Sequence, residues 1–273
     1  MDPLVEVTMQ PYSAFNNYPI RYNDPTGMIA EDPGDIYNSL GEHIGNDGID
    51  DHKVYQYHTW SNTQLSQKES LYLTQNINFQ LSSVPLTEVN ITSEELNTRA
   101  FLTTIRNAEA DGNAPLSYDT QYGGGKFKGS DLNKDGNITS AEKFADHPRE
   151  FITKWGLTMD VAGAYQFKSS SWDNVASKLG LSSFSGENQD KGALQLIRWQ
   201  QQYNPRASGV IHDITSGNAS SAFTKLNGTW TSLPGGNEEL INSSQAKGLF
   251  NANRASELRG NSVIATPIGK LKF

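Results

Sequence analysis

The chain has 273 residues, no cysteine and a formal net charge of -8, enough length for one large or two modest domains to bury roughly 75% of their unfolded surface without disulfides, thiolate zinc sites or a Cys/His nucleophile. No apolar run approaches the roughly 20 residues of a bilayer span, and Met1-Asp2-Pro3-Leu4 lacks the basic-then-apolar order of a signal peptide, so a soluble protein is expected that leaves its cell, if it does, by another route. Residues 1–93 carry three Lys and Arg against twelve Asp and Glu, and residues 94–273 carry nineteen against eighteen, which leaves no basic stripe to track phosphates and disfavours nucleic acid as a partner.

The first third is rich in turn dipeptides, Asn16-Asn17, Asp24-Pro25, Asp32-Pro33 and Asp47-Gly48, without a sustained helical period. It divides into a segment 1–34 and a linker or short-stranded region 35–93, in which residues 54–60 and 71–79 alternate as strands do. Thr92-Ser93-Glu94-Glu95 reads as a capping box, and Leu96, Ala100, Phe101, Ile105 and Ala108 then share one helical face up to Glu109, where Asp111-Gly112-Asn113 makes a turn. Residues 118–127 predict a short hairpin around Gly123-Gly124-Gly125. Trp172, Val175, Ala176 and Leu179 form a helical stripe ending at Gly180. Ser185 starts a further helix with Ala193, Leu194 and Ile197 inward. Ala222, Phe223, Leu226 and Trp230 mark another before Leu233-Pro234-Gly235-Gly236, and a last one spans much of 238–258. The expected fold class is α+β, a mainly helical domain over 94–273 with a small β-hairpin lobe.

Asp131, Asn133, Asp135, Gly136, Asn137, Thr139 and Glu142 fit the calcium loop D-x-[DN]-x-[DN]-G-x5-E at each fixed position. Oxygens at the first, third and fifth positions converge on the ion, the glycine permits the bend, and the closing carboxylate binds through both oxygens. One loop beside a hairpin, rather than two between long helices, predicts a structural Ca2+ rather than a sensor. Asp47, Asp50 and Asp51 lack a closing Glu and make a weaker second candidate.

Glu109 ends an amphipathic helix on its periodic side. The helix dipole and partial burial both disfavour its charge there, which is what a general acid requires. A solvated helix-end Glu is the plain alternative. Other chemistries lack their residues. The five histidines (43, 52, 58, 147, 212) have no zinc-ligand spacing, Gly123 to Lys126 lacks the Gly-Lys-[Ser/Thr] of a P-loop, and no G-x-S-x-G elbow occurs.

Residues 98–236 or so resemble the lambda-endolysin-like lytic transglycosylases, a lysozyme-like family. The resemblance is carried by Ala108-Glu109 with Asp111-Gly112-Asn113, by Tyr118-Asp119 with Gly123-Gly124 and Phe127, and by Asp146-His147-Pro148-Arg149. It continues through Ala162-Gly163-Ala164-Tyr165-Gln166-Phe167 with Trp172, Leu179-Gly180-Leu181, Phe184-Ser185 with Gln189-Asp190, and Trp230 with Ser232-Leu233-Pro234-Gly235. It implies a lysozyme-like fold cutting peptidoglycan between N-acetylmuramic acid and N-acetylglucosamine, with Glu109 as the single acid/base and no catalytic cofactor. It implies a sugar cleft lined by Tyr165 and Gln166. The calcium loop departs from the family pattern as an insertion between Phe127 and Asp146. Asp119 offers a second carboxylate across the cleft, or else bonds its own turn; Asp111 reads as a turn residue, His147 as structural, Trp172 as core.

Segment 1–34, with Met9-Gln10-Pro11-Tyr12-Ser13 and Asn16-Asn17-Tyr18-Pro19-Ile20 leading to Asp24-Pro25-Thr26-Gly27, resembles the terminal segment of Rhs/YD-repeat proteins, shells that carry toxin domains at their C-termini. That resemblance implies an antibacterial effector exported by a shell or secretion machine, acting on the cell wall of target bacteria and answered by a cognate immunity protein. The rival reading is a calcium-stabilised glycan-binding or structural module that has lost activity.

Overall fold

The computed structural model describes residues 34–49, 51–77 and 84–273. The Rhs-like segment, apart from Gly34, and Asp50 of the second acidic cluster lie outside the described residues. The chain divides into two compact units between Ser93 and Glu94.

The first unit holds a four-stranded sheet of β1 (Asp35–Tyr37), β2 (His43–Asn46), β3 (Val54–Tyr57) and β4 (Leu86–Val89), in the order β2-β1-β3-β4. β1 runs antiparallel to β2 and parallel to β3, and β3 runs antiparallel to β4. Ile36, Ile44 and Tyr55 make its small core. Residues 71–75 of the stretch expected as a strand over 71–79 belong instead to helix α1 (Gln67–Gln75), started by a capping box in which Ser66 accepts from the Glu69 N–H and the Glu69 carboxylate accepts from the Ser66 N–H; residues 78 and 79 lie outside the described residues. The cap outweighs the local alternation because it satisfies two first-turn donors at once.

The second unit is mainly helical. Helix α2 (Ser93–Ala108) runs through its centre, buried along nearly its whole length from Glu95 to Ala108 rather than on one face. Around it pack α4 (Ser169–Leu179), α5 (Gly186–Tyr203), α6 (Val210–Thr215), α7 (Ala219–Leu226) and α8 (Ser243–Leu258), after the one-turn α3 (Ser140–Lys143). α4 ends on Gly180 in the left-handed region, and α5 begins with Ser185 accepting from the Asn188 N–H, both as the caps predict. α7 stops at Leu226, so Trp230 belongs to the following turn. A single core joins Phe101, Ile105, Phe167, Trp172, Phe184 and Phe223 with the apolar faces of these helices.

The β structure of this unit differs from expectation. The hairpin at 118–127 has one antiparallel bridge, Thr120 to Lys126, around the one-turn 3-10 helix Tyr122–Gly124, because three consecutive glycines supply no side chains to pair across strands. The regular hairpin lies further on, between β5 (Ile152–Lys154) and β6 (Leu157–Met159). No helix among the described residues is long and apolar enough to cross a membrane.

Candidate active site

Glu109 follows directly on α2, and its N–H still donates to the Ile105 carbonyl at 2.9 Å. The chain then turns through Asp111 and Gly112, both at positive φ, with the Gly112 N–H returning to the Asn107 carbonyl at 2.9 Å. Asn107 locks this turn by donating to the Asn113 carbonyl at 2.7 Å and accepting from Asn253 at 2.9 Å. Asp111 is thus a turn residue.

The Glu109 side chain is partly buried and its Oε1 accepts a 2.5 Å hydrogen bond from the hydroxyl of Ser232. Burial pushes the carboxyl up to about 7; the Ser232 donor pulls against this and the charge of Glu238 adds to it. A carboxyl in that range holds a proton at neutral pH and can also give it up, the requirement of one group serving as acid and then base. Ser232 was not foreseen as a site residue. No local pattern reveals that a hydroxyl 123 residues away in sequence meets the carboxyl.

The turn containing Ser232 also holds the Ala162-to-Phe167 turn. Trp230 donates from its indole nitrogen to the Tyr165 carbonyl at 3.2 Å, so residues two apart grip the acid and the Ala162-to-Phe167 turn. That turn closes with reciprocal backbone bonds between Ala162 and Phe167, at 2.9 and 2.8 Å. Gly163 has φ of 83°, and a Cβ there would fall 2.3 Å from the side-chain oxygen of Gln189. Buried Gln189 accepts from the Ala164 N–H and donates to the carbonyls of Tyr118 and Phe184.

Tyr165 corrects the expectation of a residue lining the cleft. It is 1% exposed and donates from its hydroxyl to Asp190 at 2.6 Å, so its side chain supports the wall from within and cannot touch a sugar. Asp190 takes two further donors from Thr266 and one from the Tyr118 hydroxyl. Gln166 keeps partial exposure at a φ of 49°, with its amide donating to the Gly163 carbonyl at 2.8 Å, and is the member of the Tyr-Gln pair with surface to offer.

Asp119 is half-buried with both oxygens engaged, by Lys126 at 2.8 Å and Ser117 at 2.6 Å on one and by Lys143 at 2.7 Å on the other. Burial alone would raise it, but the bonds from Lys126, Lys143 and Ser117 outweigh burial and hold it well below the usual carboxylate range. Three donors thus favour its ionised form and engage both oxygens. His147 is buried; Nδ1 accepts from the Arg149 N–H, leaving Nε2 to donate to the Phe167 carbonyl at 2.8 Å, which makes it a staple of the turn. Trp172 is a core residue at 2% exposure.

The loop 131–142 is exposed, and its oxygens are turned onto backbone amides. Asp131 accepts from Asp135 and Gly136, Asn133 from Asp135, and Asp135 from Asn137. Glu142 reaches Leu132 and Asn133 with one oxygen and caps α3 through Thr139 with the other. Asp131 and Asn133 oxygens therefore already lie around one nitrogen, and the closing carboxylate spans the loop's two ends. Among the described residues, no group of three or more His, Cys, Asp or Glu side chains is gathered as a metal site.

The endolysin family model matches residues 99–254. The endolysin of Escherichia phage lambda is 36% identical over 93 residues, 34% of this chain and 54% of that protein. The endolysin of Escherichia phage P2 is 28% identical over 148 residues, 51% of this chain and 80% of that protein. The chain thus spans about half the length of the lambda relative. Among solved structures, bacteriophage lambda lysozyme complexed with a chitohexasaccharide is 27% identical, with 61% of this chain and 96% of that chain covered at a TM-score of 0.47. The lysozyme from bacteriophage lambda is 26% identical, with 63% and 96% covered at 0.44.

Proposed function

The chain belongs to the endolysin family, and on that premise we propose that it is a glycosidase-type peptidoglycan hydrolase that cleaves the bond between N-acetylmuramic acid and N-acetylglucosamine, with Glu109 as its acid. The supporting observation is the Glu109 carboxyl itself, held by Ser232 and raised to about 7 by burial. Protonation of the bridging oxygen by Glu109 lets the glycosidic bond break through an oxocarbenium-like state.

The state of Asp119 favours a route that uses one carboxylate. Hydrolysis needs a second carboxylate to act as nucleophile or to direct water, and both oxygens of Asp119 are committed to lysines. The 6-hydroxyl of the muramic acid then attacks its own anomeric carbon. Glu109, now ionised, takes the hydroxyl proton, and the products are a 1,6-anhydro end and a free 4-hydroxyl. Gln166 lines the sugar wall on this reading. Digestion of sacculi by the wild type and by Glu109→Gln tests both points. The wild type should release anhydro-muropeptides and the variant should lose about 10²- to 10⁴-fold in rate, the usual worth of a general acid. Reducing ends alone would replace the intramolecular route by hydrolysis, and full activity of a folded Glu109→Gln would remove the mechanism.

The reading extends to two finer points. A structural calcium ion in loop 131–142 would be held by Asp131, Asn133, Asp135 and Glu142, with Asn137 and Thr139 at the remaining loop positions, and would supply charge neutralisation rather than chemistry. The Rhs-like order of residues 1–34 supports an antibacterial effector delivered to the cell wall of target bacteria by a shell or secretion machine. Tight binding of an adjacent-gene product as an immunity protein would support that setting, and failure of all such products to bind would count against it.

A further inference from the structure

The turn between β5 and β6 is Trp155-Gly156, with φ of 50° and 78°. Two positive φ values in a two-residue hairpin turn favour Asn-Gly, because a Cβ in the left-handed region crowds the neighbouring carbonyl. A tryptophan held there against its preference is an observed outlier of the kind that clusters at ligand contacts, and it is 78% exposed, with no share in the core.

Its surroundings are built rather than accidental. Tyr122, from the neighbouring glycine-rich turn, meets the indole edge-on with ring centroids 5.6 Å apart and planes at 89°. The Lys154 ammonium lies 5.8 Å from the indole centroid and donates to the Gly123 carbonyl, while the Tyr122 hydroxyl donates to the Lys154 carbonyl at 3.4 Å. Lys126 and Lys143 are consumed by Asp119, and Arg149 by Asp146 and Asp173, whereas Lys154 is in no ion pair among the described residues. This corner continues directly into the turn that carries Gln166. The Tyr122 N–H donates to the Val161 carbonyl at 3.0 Å, and the Gly163 N–H to the Thr120 carbonyl at 2.7 Å.

We propose that Trp155, Tyr122 and Lys154 form a distal subsite for the peptidoglycan strand, an inference that rests on the muramidase reading above. A pyranose ring shows one face of C–H groups and keeps its hydroxyls on the rim, so a flat exposed indole covers apolar surface without stripping hydrogen bonds. Lys154 supplies the charge to meet the carboxylates of the muramic acid lactyl group or its peptide stem.

Binding is measured in the Glu109→Gln protein, so that cleavage does not consume the ligand, with long glycan strands released from sacculi and with chitotriose as a short probe. Trp155→Ala should weaken binding of the long strands about tenfold, as loss of an aromatic anchor does, and should leave chitotriose affinity and melting temperature unchanged. Trp155→Phe should recover part of the loss. Equal affinity of Trp155→Ala and its parent for long strands overturns the subsite while leaving the muramidase reading intact, and so does an equal loss with chitotriose, which would place the indole at the centre of the cleft. A folded Glu109→Gln protein that binds no glycan, from a wild type that cleaves none, overturns both.

Discussion

Two parts of the second unit use their polar residues in opposite ways. Around α2 and the turns at 162–167 and 230–233, polar side chains are buried and matched: Asp190 accepts four hydrogen bonds and Gln189 makes three. In residues 128–160 the acidic loop is exposed, and Phe151, Trp155 and Leu157 are 73%, 78% and 57% exposed. Bond cleavage needs a proton donor fixed in position, and buried networks supply that rigidity. The subsite proposed for the glycan strand draws on this exposed surface.

The sharpest way to break the first region is Arg99. It is 2% exposed and donates to Glu257 at 2.8 Å, Glu95 at 3.2 Å, the Thr266 carbonyl at 2.8 Å and Ser262 at 2.8 Å. Arg99→Ala removes the buried guanidinium that bonds both Glu95 and Glu257 and should cost about 3–5 kcal/mol in denaturant unfolding. A loss below about 1 kcal/mol would mean that the network adds little to stability.

Glu109 gives the next largest effect. Its folded pKa is raised to about 7 from an ordinary 4.5, so the unfolded chain ionises first and binds fewer protons between those values. The contribution of Glu109 is therefore fully present below about pH 4.5 and lost as pH rises toward and through 7, amounting to about 3 kcal/mol. Glu109→Gln, neutral at every pH, should show no such loss and be the more stable protein at pH 8. Parallel stability curves for the two proteins would place the carboxyl in solvent.

The two regions also differ in how much of them is legible in the sequence. Helices α4 and α5 follow from Gly180 and Ser185, because a cap is a local requirement met by local residues. The placement of Glu109 at the end of α2 followed from periodicity, but its partner Ser232 did not, since contact across 123 residues leaves no local trace. Tyr165 misleads because buried and cleft-lining aromatics look alike in sequence; only its bond to Asp190 separates them. Hairpin β5-β6 is obscured by a tryptophan at a turn position that favours Asn. Residues 71–75 mislead in the reverse sense, since Ser66 and Glu69 carried a capping signal that local alternation hid.

The calcium ion proposed for loop 131–142 gives a test of whether the exposed region is anchored at all. A saturating ion at a hundred times its dissociation constant would add about 2.7 kcal/mol to a state that only the folded loop binds. Melting in calcium should exceed melting in chelator, and Asp131→Ala should erase the difference. Equal melting temperatures in the two buffers would leave loop 131–142 as an Asx-rich turn capped by Glu142.

The finest test separates the two groups that tune the acid. Cleavage requires protonated Glu109, so its rate should fall as pH rises through about 7. Ser232 stabilises the ionised carboxylate by donating to it, and Ser232→Ala should therefore move this alkaline limb upward by about half a unit to one unit, the worth of a single hydrogen bond. Glu238 acts by charge and in the opposite sense. Removing its charge in Glu238→Gln eases ionisation of Glu109, so the limb should move downward, by less than the Ser232 shift because Glu238 is exposed and screened. Opposed displacements identify Glu109 as the titrating group. Displacements of the same sign, or a limb indifferent to both substitutions, would assign the pH dependence to another residue.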